Sequence, residues 1–443
     1  MTNKIFLGTV LCILCCKATA QCTEYKWPQD QAKAERKVDA FKTAMKEQNY
    51  KGAVPGIQWM ITHAPQWHTD LYVAATETYD NLAEKEFDPA TKERYIDSLF
   101  IIYDLRIKNC GNEMYVLNRK AYSARKYYNS DKSKAAVALA IFDKTFEVSG
   151  NEVLDNNLIG YIDAIKLNDL PEDQVMMRYN KLMSVIDFKM NKARSENHAD
   201  EISKYTKVIT YIENRLPKMV NLDSSIIEKY FEPAYKADPT NLRLARKIFD
   251  LSIEKKCGYN PIWFEAAERL HTSSPSVLVA KELAVANISI KRFDRGTTFL
   301  AEVEARAKTA SEKAWIDIIK GDIEYQKGNK LMARDFYKKA LLIDASAKEP
   351  YERIGDLYAS SANDCAKMIG TAEEKLIYIA AFQMYLKSGN REKMEQALSK
   401  YPTTEDLKKV NWKSGEQKKI ACWIDETVTV KVKKEKDVTT TAK

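Results

Sequence analysis

Glycine and proline are scarce in this chain. Its 443 residues hold 14 Gly and 12 Pro, well below the usual shares of roughly 7% and 5%. Few breakers mean few tight turns, which excludes a many-stranded β fold and favours long helices. Histidine is scarcer still, with four residues. No HExxH, GxSxG, glycine-rich phosphate loop or EF-hand pattern occurs. His63 and His68 are five apart across a turn, a spacing that does not place two ligands on one helix face. Asp425 and Glu426 are neighbours in an alternating segment, so their carboxylates diverge. Nucleic-acid binding wants a clustered basic stripe, and acid and base instead alternate along most of the chain. The sequence is therefore read as non-catalytic, with no cofactor, no metal and no nucleic-acid partner.

What is present begins with a leader. Lys4 opens an apolar run from Ile5 to Cys16, and Ala18-Thr19-Ala20 offers a small-x-small cleavage site. Residues 1–20 read as a signal peptide, with the mature chain starting at Gln21. No later stretch is apolar enough for a transmembrane span. Removing Lys4 and Lys17 takes the formal charge from +8 to +6. Five of the eight cysteines remain: Cys22, Cys110, Cys257, Cys365 and Cys422. Their wide spacing fits no zinc motif, and an exported chain permits disulfides. Spacing alone does not give the connectivity. Cys365 and Cys422, both near the C-terminal end, are the candidate pair.

Internal repeats organise the rest. One unit, 314–347, carries Gly321, Tyr325, Gly328, Ala333, Tyr337 and Ala340. The next opens with Tyr351, Ile354, Gly355 and Tyr358, and Gly321 lies 34 residues before Gly355. This is the period and first-helix pattern of the tetratricopeptide repeat (TPR). Small residues let paired helices approach, and tyrosines fill the space between them. Residues 277–310 hold a weaker copy. Tyr50, Ala53, Ile57 and Met60, followed by Leu71, Ala74 and Ala75, mark others near the start. The expected fold is all-α, a TPR-like α-solenoid superhelix of antiparallel helix pairs. Residues 171–217 break the period with two amphipathic stripes, Val175 to Ile186 and Ile202 to Leu216, which predict a long helical hairpin in the middle. Residues 421–432 alternate like a short strand, giving a short extended C-terminal segment, and the chain from Lys433 is expected to be disordered. The resulting division is 1–20 signal peptide, 21–165 N-terminal repeats, 166–220 hairpin, 221–420 C-terminal repeats, and 421–443 strand and tail.

The run from Ile354 to Ala362, with Cys365 after it, resembles the exported TPR-repeat proteins common in Bacteroidetes. So do Tyr103-Asp104-Leu105-Arg106-Ile107, Ala266-Ala267-Glu268-Arg269-Leu270, Tyr401 to Asp406 and Cys422 to Thr427. The resemblance covers nearly the whole mature chain. It implies a TPR-like superhelix in the periplasm or at the outer membrane, with no assigned activity. The chain departs from that family in one place, where Ile377 to Ala381 is less aromatic and further along than the usual Tyr-Trp segment.

In a TPR array the first helix of each pair lines the concave groove. That register nominates Trp315, Asp322, Tyr325 and Gln326, then Glu352 and Asp356, as a peptide-binding groove. The expected function is a cell-envelope scaffold or adaptor that binds a protein or peptide partner. The alternative is a carbohydrate- or nutrient-binding accessory protein at the outer membrane.

Overall fold

The structure, a computed structural model, describes residues 22–365 and 371–433. The expected signal peptide lies outside the described residues, as does the C-terminal tail except for Lys433, whose amide donates to the Pro402 carbonyl (2.9 Å). The described chain is almost entirely helical and falls into two compact units, divided between Leu222 and Asp223. No helix among the described residues is long and apolar enough to cross a membrane.

The first unit contains α1 (Gln31–Lys46), α2 (Tyr50–His63), α3 (Thr69–Lys85), α4 (Pro89–Cys110), α5 (Glu113–Tyr128), α6 (Ala135–Ser149), α7 (Asp155–Leu167), α8 (Glu172–Ser195) and α9 (Ala199–Glu213). The helices pair as α1/α2, α3/α4 and α5/α6. Short connections force sequential helices to run antiparallel. Caps set where each helix starts. Asp30, Asn49 and Asp88 accept hydrogen bonds from the amides of Lys33, Gly52 and Thr91, meeting donors that the first turn leaves open. Phe41, Ile57, Trp67, Leu71 and Tyr72 fill the core between the first pairs. The α8–α9 hairpin docks on α7. Tyr205 and Tyr211 donate to Asp155 and Asp163 of α7, and Arg215 pairs with Asp163 at 2.7 Å. A Cys22–Cys110 disulfide ties the extended N-terminal segment to the end of α4. Sequence reasoning named no such pair, because the two residues lie 88 apart.

The second unit starts with α10 (Ser224–Ile226), which runs through a π turn into α11 (Glu232–Ala237). There follow α12 (Leu242–Glu254), α13 (Pro261–Ser273), α14 (Val277–Ser289), α15 (Phe293–Arg306), α16 (Ala310–Gln326), α17 (Lys330–Ile343) and α18 (Glu349–Ala359). Then come α19 (Ala362–Cys365), α20 (Ala372–Ser388), α21 (Arg391–Ser399) and α22 (Thr404–Lys409). The pairs are α12/α13, α14/α15, α16/α17 and α18/α20. The last skips α19, so the segment after Ser360 is an insertion within a repeat. The Cys365–Cys422 disulfide fastens that insertion to the C-terminal segment. Cys257 is the free cysteine among the described residues.

One seam recurs in register. The Tyr337 ring of α17 lies against Gly321 of α16, and its hydroxyl donates to Asp322 at 2.7 Å. The Tyr385 ring of α20 lies against Gly355 of α18, and its hydroxyl donates to Asp356 at 2.9 Å. Burial, and then the carboxylate's charge, push both phenols up, so each stays a donor.

The C-terminal segment differs from expectation. Residues 421–424 form a turn, and Asp425 has a left-handed φ of 51°. The strand proper is β2 (Thr427–Thr429), paired antiparallel with β1 (Gln417–Lys419). β1 was not anticipated, because Gln417-Lys418-Lys419 has no apolar alternation. The pair closes over a core that includes Tyr358, Ile377, Val428 and Val430.

A methyl group at Gly321 would sit 2.4 Å from the Tyr337 ring, and one at Gly355 would sit 2.5 Å from Tyr385. Gly321→Ala and Gly355→Ala should each cost about 1–3 kcal/mol through overpacking, read as a lower midpoint in thermal or urea unfolding. Asp406 gives a pH test. Burial opposes its charge, but Lys375 (2.7 Å) and the Thr403 amide and hydroxyl hold the carboxyl down, from an ordinary 3.8 to about 2. A depressed carboxyl stabilises the fold above its unfolded value and loses that contribution as pH falls through the folded one. Asp406→Asn should therefore melt lower than the native chain at neutral pH. The gap should close between pH 3.8 and about 2.

Candidate functional site

The residues nominated from repeat register divide into two sets. Asp322 accepts from Tyr337 and lies 3.3 Å from the Arg353 guanidinium. Burial raises its carboxyl above the ordinary range, against the pull of Arg353 and the Tyr337 hydroxyl. Glu352 and Asp356 both bind Lys393 of α21 at 2.7 Å, and Asp356 also holds Tyr385. These three carboxylates stand in seams between helices, already engaged. Trp315 lies beneath the Lys281 ammonium (5.1 Å), Gln326 is half-buried, and Tyr325 is exposed. The nominated residues thus leave Trp315, Tyr325 and Gln326 as the accessible part of that face.

The histidines and C-terminal acids have local roles. His68 caps α3 by accepting from the Asp70 amide, and His63 stacks on Trp59. Glu426 accepts from Tyr358 at 3.0 Å, while Asp425 pairs with Lys419 at 2.6 Å. No group of three or more His, Cys, Asp or Glu suited to a metal ion is found among the described residues.

A second groove lies in the first unit, between α3 and α5, with α4 as its floor. Its local construction starts at the α4–α5 junction. Gly111 (φ 68°) and Asn112 (φ 56°) turn the chain in two residues, using the left-handed backbone that glycine and asparagine tolerate. The tight reversal brings the start of α5 back over the last turns of α4. Tyr115, Arg119 and Tyr122 share one face of α5 at spacings of four and three. Val73, Glu77 and Asp80 face them from α3 in the same way, and Tyr103 and Arg106 come up from α4. Together they line a cavity of about 340 Å³.

Arg106 is the unusual member. It is 8% exposed, and its Nε is buried without a hydrogen-bond partner. Its guanidinium lies over the Tyr115 ring at 5.1 Å, and Arg119 approaches the same ring at 5.5 Å. Burial lowers the Arg106 pKa, with Tyr115 and Tyr103 opposing, and an arginine remains a cation at neutral pH. The contrast within the unit is sharp. Arg178 is clasped by Asp143 (2.8 Å) and Arg215 by Asp163 (2.7 Å). Across the groove, Asp80 is already taken by Lys126 (2.8 Å) and the Tyr127 hydroxyl (2.7 Å). Tyr115 and Tyr122 are 42% and 49% exposed, so the groove opens to solvent along two aromatic rings. The Cys22–Cys110 disulfide braces α4 one turn beyond Arg106.

Repeat register did not find this groove, since residues were nominated only in the units around Gly321 and Gly355; its walls α3 and α5 are first helices, and Arg106 reaches it from the second helix α4. A signal was present all the same. The buried stripe of α4 runs Ile96, Leu99, Tyr103, Arg106, Cys110, and an arginine on an otherwise apolar stripe needs an explanation.

No family model matches the sequence, and no curated protein matches it. Among solved structures, the human IFIT1 dimer with PPP-AAAA is 15% identical, covering 89% of this chain and 98% of that one, with a TM-score of 0.28. Yeast Tom70 is 13% identical over 86% and 94%, with a TM-score of 0.25. Cut9 in the APC/C Cut9–Hcn1 hetero-tetramer is 11% identical over 83% and 93%, with a TM-score of 0.19. Likeness at this level assigns no ligand or partner to the chain.

Two kinds of polar residue should respond oppositely to removal. Asp356→Ala strips Tyr385 and Lys393 of their shared partner and should cost about 1–3 kcal/mol. Arg106→Met replaces an uncompensated buried charge with an apolar side chain of similar length. Its melting temperature should equal or exceed that of the native chain. A clear fall would show that Arg106 is structural.

Proposed function

We propose that the chain is a non-catalytic scaffold or adaptor of the cell envelope, which binds a protein or peptide partner through grooves between its helical repeats. The observation that carries this reading is the α3–α5 groove, where a buried guanidinium with no carboxylate partner among the described residues lies over the exposed Tyr115 ring. A fold gains nothing from such a group, because burying a charge is costly unless it is paired. Tyrosine and arginine are also the residues that dominate recognition surfaces, since they bring large contact area with a polar end. The exported location rests on the leader sequence. Two long-range disulfides support it, because such bonds persist where the surroundings are oxidising.

The test is an affinity capture from envelope extract with the chain 21–443. Tyr115→Ala/Tyr122→Ala and Trp315→Ala/Tyr325→Ala variants run in parallel. The expected result is a partner held by the native chain and by the Trp315/Tyr325 variant, but lost with the Tyr115/Tyr122 variant. Loss only with the Trp315/Tyr325 variant would move the site to the second unit. Equal recovery by all three would overturn groove binding. A glycan-array signal that vanishes with the Tyr115/Tyr122 variant would establish the carbohydrate-binding alternative instead.

A further inference from the structure

The α3–α5 groove carries more information than an aromatic surface would. We infer that it recognises a carboxylate on an extended peptide, gripped by the Arg106 and Arg119 guanidiniums beside the Tyr115 ring. This rests on the peptide-binding reading above and names the chemistry of its ligand.

The first argument is the unmet donor set. Arg106 is more than nine-tenths buried, lines the groove, and has no acceptor for its Nε. A guanidinium presents a planar fork of donors matched to two oxygens held in one plane. Arg119, exposed on α5, adds a second fork at the same ring. Both guanidiniums come within 5.5 Å of the centre of the Tyr115 ring, whose electron-rich faces attract them without neutralising them. The chain has 62 acidic residues. Among the described residues one is supplied to Arg178 and one to Arg215, but none to Arg106.

The second argument is charge. Four ionised side chains line the groove: Arg106, Arg119, Glu77 and Asp80. Lys126, outside the lining, is shared between Asp80 and Glu84. Counted with both partners it leaves the neighbourhood neutral overall, so the groove holds no surplus charge to balance a dianion. A singly charged carboxylate meets the Arg106 and Arg119 guanidiniums while placing the least charge against Glu77. The third argument is shape. Val73, Tyr115 and Tyr122 are all exposed along the groove, so it is an open trough that suits a passing peptide chain more than an enclosed metabolite. An apolar or aromatic residue next to the ligand carboxylate would lie on those side chains.

The test uses a degenerate hexapeptide array synthesised in two versions. One carries Asp, Glu and a free C-terminus. The other carries Asn, Gln and a C-terminal amide. Spots bound by the native chain 21–443 are then measured in solution by fluorescence anisotropy. Arg106→Met, Arg119→Met and Tyr115→Ala/Tyr122→Ala variants are run with inorganic phosphate as competitor. The expected result is binding confined to the acidic array. Each arginine variant should weaken it by roughly tenfold or more while circular dichroism and melting temperature hold. Excess phosphate should leave the peptide bound. Equal binding to both arrays, lost with the tyrosine variant, would overturn the carboxylate but keep the groove. Displacement by phosphate, or tighter binding of a phosphopeptide, would overturn the carboxylate in favour of phosphate. Binding unaffected by any of the three variants would overturn both readings. Arg119 is exposed, so its variant decides the matter even if Arg106→Met folds poorly.

Discussion

A tyrosine ring laid on a glycine, with its hydroxyl tied to the next residue's carboxylate, sets the helix spacing at two successive seams of the second unit. The glycine removes the Cβ that would hold two helices apart. The ring fills the space, and its polar end finds an acceptor inside the protein. Each aspartate then takes a cation from the following element: Arg353 of α18 for Asp322 and Lys393 of α21 for Asp356. One constellation therefore closes a helix pair and also joins it to its neighbour. Repeats of this kind cannot bury both faces alone, so a contact linking two steps is what makes them stack.

The same logic explains why the acids of that face are poor candidates for ligand contacts. A carboxylate that holds a buried phenol and a lysine would leave both unsatisfied if it turned outward. The first unit treats its polar groups in the same way almost everywhere. Asp155 and Asp163 hold the long hairpin, and Asp143 holds Tyr161 and Arg178. Against that background the buried Arg106 stands out, because among the described residues no acceptor meets its Nε. Proteins retain such groups where recognition requires a preformed, partly desolvated donor.

Much of the architecture was legible from residue order. The helix pairs, the 34-residue register from Gly321 to Gly355 and the hairpin at 171–217 all follow from periodicity and capping chemistry, which act over a few residues. The register was less informative about exposure. It nominated Asp322 and Asp356 as lining a concave peptide-binding groove, but could not show that Arg353 and Lys393 engage them. The C-terminal strand was placed too early, because a disulfide-bound turn at Cys422 can alternate like a strand without pairing. Its partner β1 was hidden by a lysine-rich sequence that pairs through backbone alone.

Local sequence by itself determined that this chain is all-α, repeated and poor in the groups that catalysis uses. Helix formation, capping and the 34-residue period depend on neighbours within a turn or a helix pair, and those interactions are written in order along the chain. Only the tertiary structure decided which cysteines meet, which acids are already engaged and where a buried arginine lies with no acid beside it among the described residues. Cys22 reaches Cys110 across 88 residues, and Arg106 of α4 gains Tyr115 through the reversal at Gly111 and Asn112. Those outcomes turn on distances of a few ångströms between side chains that are remote in sequence, set by packing and not by order.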